Sequence, residues 1–118
     1  MKEKLVARYE RKSTLWKNAN AFYVAQDWVK MECFIVDYSK EINYTREHTK
    51  MIDKDGNDVT EQFIERAYGK PFSIRMTNSR GRSKGWSFST REEANDFVRQ
   101  ILRDKILGNF KRIKEDTK

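Results

Sequence analysis

Arg75, Arg80, Arg82 and Lys84 stand within one ten-residue stretch, Arg75-Met-Thr-Asn-Ser-Arg80-Gly-Arg82-Ser-Lys84. Cations interleaved with Ser, Thr and Asn are the side chains that contact phosphate oxygens. The stretch lies inside a wider window, Arg66 to Arg91, with seven basic residues and no Asp or Glu. The other basic residues, 25 less those seven, equal the 18 acidic ones, so the window carries the whole formal net charge of +7. A concentrated basic patch attracts polyanions. The chemistry implied is charge neutralisation, with no bond made or broken.

Catalytic and metal-binding alternatives have thinner support. His48 is the sole histidine and Cys33 the sole cysteine, so neither an internal disulfide nor a Cys/His metal site is expected. Cys33 stands among Met31, Phe34, Ile35 and Val36 and reads as a small buried hydrophobe. His48 reads as a surface residue. Asp53-Lys-Asp-Gly-Asn-Asp58 is rich in carboxylates, but a calcium loop needs Gly sixth and Glu twelfth, where this chain has Asp58 and Ile64. It reads as a tight turn. A metal-dependent nuclease would have to be built on Glu32, Asp37, Lys40 and Glu41 near the end of one strand, and their spacing does not favour it. No phosphate-binding or dinucleotide glycine motif is present. No cofactor, no metal and no catalytic centre are expected.

A chain of 118 residues fits one domain, residues 1–118, in which 109–118 reads as a short helix or a frayed tail. Apolar residues at 37% allow one modest core, and charged residues at 36% demand a heavily solvated surface. Pro occurs once and no low-complexity run is present, which argues against disorder. No charged-then-apolar leader opens the chain and no apolar run reaches about 18 residues. The expectations are a cytoplasmic location and no membrane partner. Abundant Lys, Asn, Ile, Phe and Tyr suggest an AT-rich bacterial or phage genome.

The elements follow from periodicity. Leu5 to Arg11 fits a strand or a helical face, and strand is preferred. Ser13 to Asn20 reads as a turn or loop. Trp28 to Tyr38 alternates as a strand, apolar on both faces in its second half, as a central strand would be. Ile42 to Ile52 reads as a polar strand paired with it, turning at Ser39-Lys40-Glu41. Asp58 and Glu61 have capping-box spacing for a short helix from Val59, ended by Gly69 and Pro71. Phe72 to Ser89 reads as a β-hairpin with its loop at Ser79 to Ser83 and Gly81 free to take positive φ. Thr90 and Glu93 form a second capping box. It opens the strongest helix, Arg91 to about Leu107, with Ala94, Phe97, Val98, Ile101, Leu102 and Ile106 on one face and Gly108 beyond. Trp16, Phe22, Tyr23 and Trp28 read as core aromatics. The sum is an α+β fold: a small antiparallel sheet of about five strands against a long C-terminal helix, with a short helix between strands.

Pleating then aims the hairpin's side chains. Phe72, Ile74, Met76, Trp86 and Phe88 face the helix, while Ser73, Arg75, Thr77, Gly85, Ser87 and Ser89 face away. Arg75, Arg80, Arg82 and Lys84 are the candidate phosphate contacts. Ser73, Thr77, Asn78 and Ser87 are secondary donors, with Asn78 suited to a base edge. Arg66, Lys70 and Arg91 widen the field. Lys84 to Val98 contains Phe88-Ser-Thr90-Arg-Glu-Glu93-Ala94. Over about 15 residues it resembles the strand-then-helix pattern of DNA-binding three-stranded-sheet domains, such as certain plant DNA-binding domains and the arm-binding domains of integrases. The third strand those domains need is not evident in the sequence, and membership does not follow. DNA or RNA is the expected partner. The alternatives are a small phage or bacterial regulator that binds an acidic protein, such as a host enzyme, and the small nuclease considered above.

Overall fold

The computed structural model describes residues 2–13, 20–104 and 109–113. Its spine is β2 (Trp28–Asp37), which lies between β1 (Lys2–Glu10) and β3 (Phe72–Asn78) and pairs antiparallel with both. β4 (Ser83–Phe88) returns beside β3, and β5 (Lys111–Ile113) pairs with the far side of β1. The result is one five-stranded antiparallel sheet in the order β4-β3-β2-β1-β5. The fold is α+β, as the patterning predicts.

Register sorts the side chains into two faces. Phe72 pairs with Phe88, Ile74 with Trp86 and Met76 with Lys84 on one face. Met31 pairs with Met76 and Cys33 with Ile74, which extends that face across β2. α4 (Arg91–Arg103) packs there, with Thr90 capping it through its hydroxyl, which accepts from the Glu93 amide. The reciprocal half of the box differs from expectation, because the Glu93 carboxylate accepts from the Ser89 and Thr90 hydroxyls. Met31, Ile74, Met76, Val98 and Phe110 are buried, and Trp28, Trp86, Phe88, Phe97, Ile101 and Leu102 pack around them. Phe97 touches two rings, Trp86 at 5.1 Å and Phe88 at 5.4 Å between centroids.

Three readings need correction. Ile42 to Ile52 is not a strand: α2 (Ser39–His48) occupies most of it, and Ser39, Lys40 and Glu41 start that helix instead of forming a hairpin turn. The Asp37 carboxylate accepts from the Ser39 amide, which fixes the start. Glu41 in the first turn, with Arg46 and His48 in the last, suits the helix dipole. The second correction concerns α3 (Thr60–Tyr68), which begins one residue later than expected. Asp58 accepts from the amide and hydroxyl of Thr60, whereas Glu61 forms a two-point pair with Arg46 of α2, each contact 2.9 Å. The third is the segment 109–113, neither helical nor frayed: Phe110 is buried and Lys111–Ile113 is an edge strand.

Smaller points also differ from or extend the expectation. α4 is 13 residues long and ends at Arg103, with Asp104 as its C-cap, shorter than the reading to about Leu107. Ile106, Leu107, Gly108 and the tail from 114 lie outside the described residues, as do Trp16 and most of the 13–20 loop. Trp28 joins the core edge, while Tyr23 on α1 (Ala21–Ala25) is 47% exposed. His48 is exposed on α2, its ring 4.3 Å from that of Tyr44 and tilted by 56°. No described helix is long and apolar enough to cross a membrane.

Packing sets the first prediction. Ile74 is 1% exposed, so Ile74→Ala should cost about 2–5 kcal/mol, whereas Phe97→Ala, truncating a half-buried ring, should cost about 2–3 kcal/mol. A denaturant titration checks both. A loss below about 1 kcal/mol for Phe97→Ala would show that α4 does not anchor the core.

Candidate functional site

The basic hairpin is built as a fixed tip on a regular ribbon. β3 and β4 are joined through Ser79–Arg82, and Gly81 takes φ +83°, a left-handed conformation that favours glycine. The Asn78 amide donates to the Arg82 carbonyl, and the Gly81 amide donates to the Asn78 carbonyl. The Asn78 side chain completes the turn: its Oδ1 accepts from the Arg80 and Arg82 amides, both at 3.0 Å. Its Nδ2 donates to the carbonyl of Ala25 at the end of α1. The Ser79 amide donates to the Asp27 carbonyl. The backbone donors of the tip are therefore consumed internally, and its outward chemistry belongs to side chains.

Arg80, Arg82 and Lys84 are all exposed there. The Lys84 ammonium lies 5.3 Å from the Trp86 ring centroid, on the helix-facing side of the ribbon. Thr77 and Ser83 share a hydroxyl hydrogen bond of 2.8 Å across the other side. Asn78 is only 4% exposed and its side-chain amide makes three hydrogen bonds within the fold, so this arrangement makes it a builder of the turn and removes it from base-edge contact.

Arg75 differs from the tip cations. It faces away from α4, as expected, but on that face β2 and β1 supply acids that the linear window hides. Glu32 is its cross-strand neighbour, and the Glu3 carboxylate lies 3.6 Å from its guanidinium. The guanidinium also sits 4.8 Å from the Phe34 ring centroid. Ser73 and Ser87 face each other on the same side. Lys70 and Arg91 flank the strand ends remote from the tip. From Phe72 to Asn78 a strand runs about 20 Å at ~3.3 Å per residue, so these two do not join the tip cations. Arg66 belongs to the last turn of α3.

What holds the tip was not legible in local sequence. Arg11, just past β1, is buried with Asp27: Nη2 to Oδ1 is 2.7 Å, and the side chains are 3% and 2% exposed. The Arg11 Nε donates to the Trp28 carbonyl, and the Ser13 hydroxyl donates to the other Asp27 oxygen. Phe110 closes the knot, its ring 5.7 Å from the guanidinium carbon. The partners are 16 residues apart, a separation that carries no pattern.

Among the described residues, carboxylates do not gather into a metal site. Glu32 lies on the open face opposite Arg75, and Asp37, five positions on, has opposite parity and serves α2. The Ser39 amide and hydroxyl beside Asp37 hold its carboxyl below the usual range. Among the described residues no group of three or more His, Cys, Asp or Glu is close enough to hold a metal ion. Beside β3, β2 does supply a third antiparallel strand next to the hairpin, separated from it in sequence by α2 and α3. Comparison with protein-family models, with curated proteins and with solved structures gave no match.

The knot gives the second prediction. Asp27→Ala should cost about 3–5 kcal/mol, because it leaves the Arg11 charge buried and unpaired. Asn78→Ala should cost about 2–3 kcal/mol and speed hydrogen exchange at the Arg80 and Arg82 amides, which lose their acceptor. Unchanged melting and exchange in Asn78→Ala would show that the tip is not held from within.

Proposed function

We propose that the protein binds nucleic acid without cutting it, by setting Arg80, Arg82 and Lys84 at the hairpin tip against backbone phosphates. The observation that carries this reading is three exposed cations on one internally braced turn, in a stretch free of carboxylates. Bracing lowers the ordering cost of binding, because the turn is already in one conformation. Side-chain contact with phosphates positions a protein without reading bases, so weak sequence preference is expected. Ser83, Gly85 and Ser87 on the outer side of β4 are small enough for close approach to a duplex, whose major groove admits a two-stranded ribbon. Arg75, already engaged by Glu3 and Phe34, is an orienting contact at most. A cytoplasmic location suits this role.

A second reading, a regulator that docks on an acidic protein, has its own support. Tyr44 and Phe63 on α2 and α3 are 64% and 38% exposed, and Ile52 between them is 51% exposed. Apolar side chains presented beside charged ones suit a protein interface.

Salt dependence separates the two. Each neutralised phosphate contributes a slope of about −0.9 to log K against log[salt] on duplex DNA, so three tip contacts give roughly −3. Arg80→Ala with Arg82→Ala should reduce the magnitude by about 2, and Arg75→Ala should change it by less than about 1. Fluorescence anisotropy with a labelled duplex and a labelled single strand is the measurement. If neither binds at low salt, or the double variant binds as the parent does, the protein-docking reading takes over.

Catalysis is tested separately. Addition of Mg²⁺ or Mn²⁺ should give no cleavage of DNA or RNA, since Asp37 and Glu32 point to opposite faces of β2. Metal-dependent cleavage abolished by Asp37→Ala would overturn this and promote the nuclease.

A further inference from the structure

Among the described residues, the helix-facing side of the sheet is only partly roofed. α4 packs on β3 and β4, and between it and β1 and β2 remains a cleft of about 320 Å³. Tyr9, Cys33, Ile35 and Ala94 contribute apolar lining, while Arg91 at the start of α4 and Arg112 on β5 bring guanidinium groups to it from two different elements. No Asp or Glu is among its described lining residues. Lys4 lies on the same face of β1, opposite Ile35.

We propose that this cleft is a binding site for a small amphipathic anion, a carboxylate, sulfonate or phosphate monoester carrying a short alkyl or aryl body. Small-molecule sites span roughly 300–1,000 Å³ and combine apolar walls with a few charged groups that fix orientation. A cleft of 320 Å³ is at the small end of that range. The apolar floor takes the body of the ligand, and the cations take its head. Without a carboxylate in the lining, an acid meets attraction and a cationic or neutral analogue gains nothing from the charge. Cys33 marks the floor. Burial raises its thiol pKa to about 11, and the Arg112 charge opposes that rise. The site is independent of the hairpin tip, since Arg91 lies at the remote end of the ribbon.

Cys33 is the chain's only cysteine, so thiol labelling reads this site alone. The experiment follows alkylation of the full chain by N-ethylmaleimide at fixed pH as decanoate is added below its micellar concentration. Decanol at equal concentration is the uncharged control. Decanoate should slow labelling saturably and decanol should be much weaker. Arg91→Gln and Arg112→Gln, both at exposed side chains, should each weaken decanoate protection by roughly tenfold, the effect of losing one charge-assisted hydrogen bond. Thermal melting of each variant confirms an intact fold. Ala94→Phe, which fills the cleft from α4, should abolish decanoate protection with Arg91 and Arg112 still present. No protection of the parent by decanoate, equal protection by decanol, or unchanged affinity in the Arg91→Gln, Arg112→Gln double variant would each overturn the proposal.

Discussion

The buried Arg11–Asp27 pair is the constraint on which one end of the molecule depends. A guanidinium and a carboxylate 2.7 Å apart, with both side chains almost inaccessible, hold four segments at once. Arg11 ties the end of β1 to β2 through the Val29 and Trp28 carbonyls. Asp27 reaches Ser13 through its carboxylate and Ser79 through its backbone carbonyl. Asn78 then links the hairpin to α1. Desolvating such a pair costs nearly what its attraction returns, so its net gain in stability is modest. Its geometric demand is not modest. Each group must find its partner or remain as an uncompensated buried charge, and that penalty selects one arrangement of the β1 end, the α1–β2 junction and the β3–β4 turn. The basic tip is tied through Ser79 and Asn78 to the segment that carries this ion pair.

Sequence periodicity reached the parts of the fold where one face is buried and the other is not. The hairpin shows this: Phe72, Ile74 and Met76 alternate with Ser73, Arg75 and Thr77, and the observed register matches that alternation residue for residue. α4 was equally plain from its apolar face and the Thr90 cap. α2 was missed because it buries little. Thr45 is its one buried residue, so no apolar stripe marks it, and its β-tolerant residues imitate a polar strand. Its charge order was a usable signal, with Glu41 in the first turn and Arg46 and His48 in the last. β5 carries three residues at a sheet edge, too few for any period. The Asp58 and Glu61 spacing imitated a box while both side chains served other partners, Thr60 and Arg46.

The charge pattern had a similar limit. The window from Arg66 to Arg91 has no acid in sequence, yet a sheet brings in acids from other strands. Glu3 on β1 pairs with Arg75, and Glu32 on β2 is its cross-strand neighbour, so the middle of the ribbon is electrostatically mixed. The tip projects beyond the strands that carry those acids, and its charges are spared. A field that looked spread over the whole hairpin is thereby concentrated at one end, where Arg80, Arg82 and Lys84 stand.

Geometry also accounts for the cleft. Five strands spaced about 4.8 Å apart make a sheet about 19 Å wide, while one helix with its side chains is about 10–12 Å across. A single helix therefore roofs roughly half of one face. α4 settles over β3 and β4, where Trp86, Phe88 and Ile74 give it the largest apolar surface. Phe110 covers part of the remainder beside Arg11, leaving Cys33 and Ile35 at the floor of a gap. Had α4 been as long as its periodicity suggested, the added turn would have lengthened the roof along its axis without widening it. The strip that the described residues leave uncovered is a consequence of one helix meeting five strands. The chain offers Arg91, Arg112 and Lys4 around that strip, and no described acid lines it, so the surface left bare by packing is apolar at its base and cationic at its rim.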